Sequence, residues 1–147
     1  RCLFSNAVVE FEPMLTFGND RNYLTKIIET LLKYIPMKFG RKFRLRDYDK
    51  LWKNILNREK KYTGKIKYLG AFTGWDNTPR FKEKSLIVIN ESPNKFKIYL
   101  QKQVNRSDSE FIFINAWNEW AEGAYLEPDN FNGNAYLESV KDVYAGN

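Results

Sequence analysis

Residues 111–123 read FIFINAWNEWAEG, and this stretch decides the fold. Its first four residues are β-branched or aromatic, as in a strand that is covered on both faces within a parallel sheet. The polar residues that follow then fall at the carboxyl end of the strand, where parallel α/β folds place their active sites. The stretch therefore predicts a parallel α/β fold with its functional site directly after the strand.

Two glutamates in this stretch, Glu119 and Glu122, are three residues apart. If the chain turns helically after the strand, both side chains project from one face. Glycosidic-bond chemistry needs such a pair, one carboxyl to protonate the leaving oxygen and one carboxylate as base or nucleophile. The neighbouring indoles suit stacking on a sugar ring and the amides suit its hydroxyls: Trp117, Trp120, Asn115 and Asn118. The alternative is a solvated helix face, because glutamate is a good helix former and mostly exposed.

The composition predicts a folded globular domain. The chain has 147 residues, of which 43% are hydrophobic and 16% aromatic, enough for one sizeable core. No apolar run approaches the ~20 residues of a membrane-spanning helix, so no integral membrane segment is expected. Nothing at the amino end resembles a signal peptide, which favours a cytoplasmic location. Because the chain begins at Arg1 rather than Met, we expect an amino-terminal part of the same polypeptide to be missing.

Cysteine and histidine usage narrows the chemistry. Cys2 is the single cysteine, so an internal disulfide is excluded and a cysteine-rich metal site is disfavoured. The sequence has no histidine, which removes Ser-His-Asp and Cys-His catalysis and the commonest metal ligand. Carboxylates are left to do any acid–base work in this segment, and we expect neither a metal nor an organic cofactor.

The net charge of +6 is polarised along the chain. Residues 33–67 contain thirteen Lys and Arg against three acids, whereas residues 108–147 contain eight acids and only Lys141. Basic residues interleaved with aromatics suit nucleic acid, and residues 39–48 offer such a pattern: Lys42, Arg44 and Arg46 with Phe39, Phe43 and Tyr48. A solvated helix face is the more common meaning of a basic run. Because the acidic, tryptophan-bearing end repels phosphates, we expect no nucleic-acid partner.

Strands and helices alternate along the sequence. The patterns predict strands at residues 7–11, 65–72, 85–90 and 111–115, helices at 20–35, 47–56, 92–104 and 136–144, and a loop at 124–129. Such alternation implies right-handed crossovers in a parallel sheet or barrel. A (β/α)8 barrel of the TIM type takes about 250 residues, whereas this chain supplies three or four core strands. We therefore predict that residues 1–147 are a single-domain fragment, the carboxyl-terminal part of such a barrel; an open α/β layer is the alternative.

Four segments of the chain together resemble the carboxyl-terminal half of the WbsX-like glycosyltransferase family. They read EFEP at residues 10–13, GAFTGWDNTPR at 70–80, FINAWNEWAEGAYLEPD at 113–129 and YLE at 136–138. The resemblance covers nearly the whole chain in order and spacing. It implies a role in assembling bacterial surface polysaccharides of the O-antigen or capsule type, and a relationship to the glycoside hydrolase family 99 endo-mannosidases, which are (β/α)8 barrels.

The resemblance to the endo-mannosidases implies roles for the two glutamates. Their motif Asn-Glu-Trp-His-Glu-Gly corresponds here to residues 118–123. By this likeness Glu119 is the base that acts on the sugar 2-hydroxyl, which itself attacks the anomeric carbon, and Glu122 is the acid/base at the leaving oxygen. Ala121 stands where the hydrolases have histidine, so their substrate is not carried over to this chain.

The segment Trp75–Arg80 resembles a hydrolase segment that lines the donor side of the active site. This likeness nominates sugar-binding side chains: Trp75, Asp76, Asn77, Thr78 and Arg80, with Glu127 on the same rim. A structural turn, with the arginine as its ion-pair partner, is the alternative for this segment.

The sequence as a whole predicts a glycosyltransferase that acts on a carbohydrate substrate, with an activated donor sugar, through its two glutamates. Within enzymes the rival is an endo-acting glycoside hydrolase. Outside enzymes it is a carbohydrate-binding module, in which the aromatics stack on sugar and the glutamates only accept hydrogen bonds.

Overall fold

A computed structural model of the chain describes residues 6–19, 44–58 and 64–145, in which short parallel strands alternate with helices. The strands are β1 (Ala7–Val9), β2 (Arg44–Asp47), β3 (Ile66–Phe72), β4 (Leu86–Ile89), β5 (Ile112–Asn115), β6 (Asn118–Glu119) and β7 (Ala124–Tyr125). The α-helices are α1 (Met14–Asn19), α2 (Tyr48–Leu56), α3 (Thr78–Phe81), α4 (Pro93–Asn105) and α5 (Ala135–Ala145). Short 3₁₀ turns span Lys82–Lys84 and Trp120–Glu122. The predicted helix at residues 20–35 and the positions of Cys2, Phe39, Lys42 and Phe43 lie outside the described residues.

The main sheet has the strand order β1-β3-β5, and both pairings are parallel. Its register places Tyr68 beside Val9, Leu69 beside Ile112 and Phe72 beside Asn115. Gly70 of β3 lies so close to β1 that a Cβ atom there would overlap the carbonyl oxygen of Glu10. The predicted parallel α/β fold is confirmed, and the described strands do not close into a barrel.

The strand predicted at residues 85–90 exists as β4, but it does not belong to the main sheet. It pairs in parallel with β2, a strand that the sequence pattern did not indicate. Residues 44–47 read Arg-Leu-Arg-Asp, and a single apolar side chain among charged ones gives no periodic signal. Within the described residues, the main sheet therefore has three strands, and β2 and β4 form a pair that is separate from it.

Helices α2 and α4 pack together on the sheet, as their apolar stripes predict. Asp47 caps α2 by accepting a hydrogen bond from the Lys50 amide at 3.0 Å, and Ser92 caps α4 in the same way, followed by Pro93. Their buried side chains, together with Phe72 of β3, form what we call the helix-side core: Tyr48, Trp52, Phe72, Phe96 and Leu100. Trp52 lies stacked between Phe72 and Tyr99, with ring centroids 5.5 and 5.3 Å away.

The sheet also presents an apolar face that stays exposed. The register places Val9 beside Tyr68 and Phe113 beside Gly70, while Ile112 and Ile114 pack on the helix-side core. The Tyr68 ring meets the rings of Phe111 and Phe113 edge to face. Val9, Phe111 and Phe113 are 42–58% exposed. We call Val9, Tyr68, Phe111 and Phe113 the open sheet face.

A buried ionic cluster fixes the end of β1. Glu10 and Glu12 are fully buried, and the Arg58 guanidinium contacts both carboxylates. The Lys67 ammonium lies 2.7 Å from Glu10, as an ion pair rather than an aligned hydrogen bond. Glu12 also accepts a hydrogen bond from the Thr16 hydroxyl at the start of α1. Because buried carboxylates need paired cations, the charges of Arg58 and Lys67 are what allow Glu10 and Glu12 to be buried here.

Candidate active site

The site begins where β5 ends. Asn115 is the last residue of β5, and its side-chain amide donates a hydrogen bond to the backbone carbonyl of Glu12 at 3.0 Å. It also lies beside Phe72 in the register, so the ends of the three main strands meet here. The Asn115–Ala116 peptide bond is cis. The polar residues that follow β5 therefore lie at the carboxyl edge of the parallel sheet, as predicted.

A small hairpin presents the two glutamates. β6 pairs with β7 in antiparallel fashion, with Glu119 beside Ala124, and the Trp120–Glu122 turn connects them. The residues predicted as a loop from 124 onward thus begin with a strand, because a two-residue strand is defined by its partner and not by its own pattern. The expected helical turn is a 3₁₀ turn that Glu119 precedes, and residues three apart in such a turn lie on the same side.

Arg80 connects its own segment, residues 75–80, to the hairpin that carries the two glutamates. Its guanidinium lies 2.7 Å from the Glu122 carboxylate and 3.6 Å from that of Glu119. The side chain of Glu122 is 18% exposed and that of Glu119 40% exposed. The Asp76 amide also donates a hydrogen bond to the Glu122 carbonyl at 2.7 Å. One guanidinium therefore contacts both predicted catalytic carboxylates.

Gly123 allows this close approach. It has a φ of 59° in the left-handed region, and a Cβ atom there would lie 3.0 Å from the Asp76 amide nitrogen. A larger residue would be strained and would push the hairpin away from the Asp76 segment. The glycine after the second glutamate is thus required by the geometry that brings Glu122 to Arg80.

The other residues nominated before Arg80 have structural contacts. Trp75 is only 4% exposed and packs edge to face against Phe17 of α1, so it does not present an open ring to a sugar. The Asp76 carboxylate accepts a hydrogen bond from the Thr78 amide, and the Asn77 side chain accepts one from the Leu86 amide, both at 2.8 Å. These side chains shape the turn that carries Arg80.

The nominees after β5 are far more open. Trp117 and Trp120 are 54% and 47% exposed, and Asn118 is exposed beside Tyr125. The Trp120 ring stacks on the Tyr125 ring with centroids 3.8 Å apart, and its indole N–H donates to the Glu127 carboxylate at 2.6 Å. We call the whole group the carboxylate edge: Arg80, Trp117, Glu119, Trp120 and Glu122.

Two residues near this edge were missed by sequence reasoning. Tyr125 supports Trp120, and burial raises the pKa of its hydroxyl, with further contributions from Asp129 and from the charge of Glu91. Glu91 follows β4, and its Cγ lies 3.6 Å from the position that a Cβ atom on Gly74 would take. It is a third carboxylate beside the edge. Its place just after a predicted strand was the available signal.

A cavity of about 300 Å³ lies elsewhere, at the opposite end of β3. It is lined by side chains from the start of that strand and from the segment after α4, among them Lys65, Lys67, Arg106 and Asp108. Burial lowers the pKa of Arg106, whose guanidinium donates to the Ile55 and Leu56 carbonyls at the end of α2. This cavity is separate from the carboxylate edge.

The described ranges contain no group of three or more Cys, Asp and Glu side chains arranged to hold a metal ion. Within the same ranges, each helix is too short or too polar to cross a bilayer.

Comparison with known proteins identifies relatives that are much longer than this chain. Two proteins from strains of Xanthomonas campestris pathovar campestris, both described as uncharacterized protein WxcX, are 42% identical to it over 82 residues, which is 52% of this chain and 12% of theirs. A mouse protein, coiled-coil domain-containing protein 87, is 30% identical over 95 residues, 63% of this chain and 11% of its own length. The chain thus spans about an eighth of these relatives. No solved structure matches.

The family comparison agrees with the resemblance carried by the four sequence segments. The sequence model of the family described as Glycosyltransferase WbsX matches residues 3–140, which include the Arg80 segment and the whole hairpin. The match covers nearly the entire chain, and this protein belongs to the glycosyltransferase WbsX family.

Proposed function

We propose that this chain is the carboxyl-terminal part of a glycosyltransferase that assembles bacterial surface polysaccharide, with Glu119 and Glu122 as its catalytic pair. The family membership supports a carbohydrate-active role. The observation that carries the proposal is the contact of Arg80 with both carboxylates, at the carboxyl edge of the parallel sheet. Parallel α/β folds concentrate their chemistry at this edge.

The proposed reaction uses the glutamates in two steps. Glu119 takes the proton of the donor sugar's 2-hydroxyl, whose oxygen bonds to the anomeric carbon, while Glu122 gives a proton to the departing oxygen. The acceptor oxygen then bonds to the anomeric carbon as the bond from that carbon to the 2-oxygen breaks; the acceptor proton passes to Glu122, and the 2-oxygen regains its proton from Glu119. Glu122 is the more shielded of the two side chains and lies closer to the Arg80 guanidinium, whereas Glu119 is the more open to solvent.

Arg80 has a positioning role in this proposal. Its guanidinium spans both carboxylates and is itself half-exposed, so a sugar can reach it from solvent. Hydroxyl groups of the bound sugar replace part of its contact with Glu119, which is the longer of the two. Trp117 and Trp120 supply exposed indole faces on either side of Glu119 in the sequence, and Glu127 holds the Trp120 indole N–H.

We also propose that the remaining strands of a (β/α)8 barrel belong to the same polypeptide. The β1-β3-β5 sheet ends in β1 on one side and β5 on the other, and its open sheet face exposes Phe111 and Phe113. In a (β/α)8 barrel, side chains on the inner face of the sheet are packed against those of the remaining strands. We assign this cover to upstream strands of the same polypeptide, so that residues 1–147 are one part of a single catalytic domain.

The test is an assay of the full-length protein against two kinds of substrate. A transferase consumes an activated sugar, nucleotide- or lipid-linked, and elongates an acceptor, and it leaves a plain oligosaccharide intact. An endo-acting hydrolase, the second candidate because the same pair of glutamates suits it, releases reducing ends with no activated sugar present. Saccharide binding without either reaction would instead identify a carbohydrate-binding module and overturn the proposal.

A further inference from the structure

Phe131 is the most exposed large hydrophobic side chain in the part of the chain that the structure describes, at 94%. It lies near the middle of residues 128–134, which we call the Phe131 loop. The ring takes no part in the described core, so both of its faces are free to stack on a ligand.

The loop is a folded turn that displays this ring. The Asp129 carboxylate accepts hydrogen bonds from the backbone amides of Phe131, at 2.6 Å, and Asn132. These bonds, that of Asn132 first, lower the pKa of Asp129. The backbones of Asp129 and Gly133 exchange two further hydrogen bonds, at 3.3 and 2.9 Å. The backbone that carries the ring is therefore ordered before any ligand arrives.

A short chain of contacts connects the loop to the carboxylate edge. The Tyr125 hydroxyl bonds to Asp129, and the Tyr125 ring stacks on Trp120. Trp120 directly follows Glu119, and the backbone amides of Leu126 and Glu127 both donate to the Trp117 carbonyl. The Phe131 loop is thus connected through Tyr125 to Trp120, and the segment before the loop is hydrogen-bonded to Trp117.

The surroundings of Phe131 select the kind of ligand. Residues 123–140 contain no Lys or Arg, and they include the acids Glu127, Asp129 and Glu138. Such a segment repels phosphates and anionic membrane surfaces. Asn130 and Asn134 are exposed on either side of Phe131 in the sequence, and their amides can donate to and accept from hydroxyl groups. An aromatic face with amides and carboxylates around it matches an uncharged sugar.

We propose that Phe131 is a stacking residue of a second saccharide subsite, which binds a neutral oligosaccharide chain beyond the sugar at the glutamates. The inference rests on the proposed function and deepens it, because it assigns the acceptor or growing chain to the hairpin side of the site. The nucleotide or lipid phosphate of a donor sugar does not bind at the Phe131 loop in this proposal, because the one charged side chain of the loop, that of Asp129, is negative.

The test measures binding of saccharides of different length to the full-length protein. Probes are neutral di- and hexasaccharides of mannose, glucose and rhamnose, and phosphatidylglycerol vesicles serve as the membrane probe. Phe131→Ala is expected to weaken hexasaccharide binding by about threefold to tenfold, the scale of one aromatic contact. Disaccharide binding is unchanged, and Phe131→Trp retains the affinity. The matched control is Ile98→Ala, which removes a 53% exposed side chain from α4.

The inference is overturned if Phe131→Ala binds the hexasaccharide as tightly as the unmodified protein does. It is also overturned if this variant loses vesicle binding but keeps its saccharide binding. Unchanged thermal melting of Phe131→Ala shows that the fold is intact. Glu119→Gln in the same series separates the two proposals: it abolishes turnover while hexasaccharide binding persists. Turnover that survives this substitution counts against the glutamate mechanism, and the length dependence still decides the role of Phe131.

Discussion

The helix-side core and the carboxylate edge are both built on aromatic rings, yet they place them differently. In the core, Trp52 is fully buried between Phe72 and Tyr99. At the edge, Trp120 also has a stacking partner in Tyr125, but it remains 47% exposed. A ring that stacks on another ring is therefore not necessarily a core residue. Tyr125 supports one face of the Trp120 ring, and the rest of that ring remains open to a ligand.

The largest expected effect concerns the carboxylates at the edge. We expect the double substitution Glu119→Gln and Glu122→Gln to lower turnover by about 10⁴-fold, or roughly 5 kcal/mol, because both proton transfers are lost. The measurement is donor-sugar consumption by the full-length protein. Glu110→Gln, an exposed residue that precedes β5 at the amino end of the strand, is the control. Turnover within tenfold of the unmodified protein would remove these residues from catalysis.

The next effect tests whether the two kinds of tryptophan differ as the structure indicates. Trp52→Ala removes a fully buried indole and is expected to lower the free energy of unfolding by about 3–5 kcal/mol. Trp117→Ala, at the edge, is expected to change it by less than about 1 kcal/mol. Denaturant unfolding of both variants gives the comparison. Similar losses in the two would show that the edge is part of the core.

A smaller effect concerns the arginine that spans the glutamates. Because Arg80 positions both carboxylates, we expect Arg80→Gln to lower kcat/KM by about tenfold to a hundredfold. Arg80→Lys keeps the charge but not the fork of two donors, and it should recover only part of the loss. Arg44→Gln provides a control, since Arg44 donates to the Lys84 carbonyl away from the glutamates. If Arg80→Gln retains full activity, the bridge has no positioning role.

The smallest effect belongs to an ion pair on the core side. Asp49 accepts hydrogen bonds from Lys95 and Tyr99, at 2.8 and 2.7 Å, and these lower its pKa. Its stabilising contribution is therefore present above its unfolded value of about 3.8 and is lost as the pH falls through the lower folded value. Asp49→Asn should cost about 0.5–1 kcal/mol at neutral pH, since solvent screens this partly exposed pair.

The measurement for Asp49 is the midpoint of thermal unfolding as a function of pH. The difference between Asp49→Asn and the unmodified protein should shrink as the pH is lowered through the folded pKa of Asp49. Asp142→Asn removes the more exposed pair with Lys97 and should have a smaller effect. A constant difference at every pH would show that the charge of Asp49 is not what stabilises the fold.

Long periodic elements were predictable from the sequence. The helix after Asp47 matches its prediction because its own side chains define one buried face and its own cap defines its start. The strand at residues 66–72 matches because its second half is a continuous buried run. Short elements were not. β2, β6 and β7 are strands only through their partners, so residues 44–47 and 124–125 carry no local signal.

The candidate site shows the same division. The sequence identified Glu119, Glu122 and Arg80 from spacing and motif, and the structure brings all three together. It also nominated Trp75, whose burial against Phe17 depends on where α1 packs. The supporting residue Tyr125 and the nearby carboxylate Glu91 were missed, because nothing in their local sequence shows which residue lies opposite them.

The sequence by itself determined the parallel α/β class, the main helices and the two polar segments that follow the strands, since hydrophobic periodicity and capping are local properties. Only the tertiary structure decided that those segments meet at Arg80, which aromatic rings are buried and which remain open. Those outcomes depend on pairings between residues far apart in the chain, and the side chain of a residue does not encode which distant surface it will face.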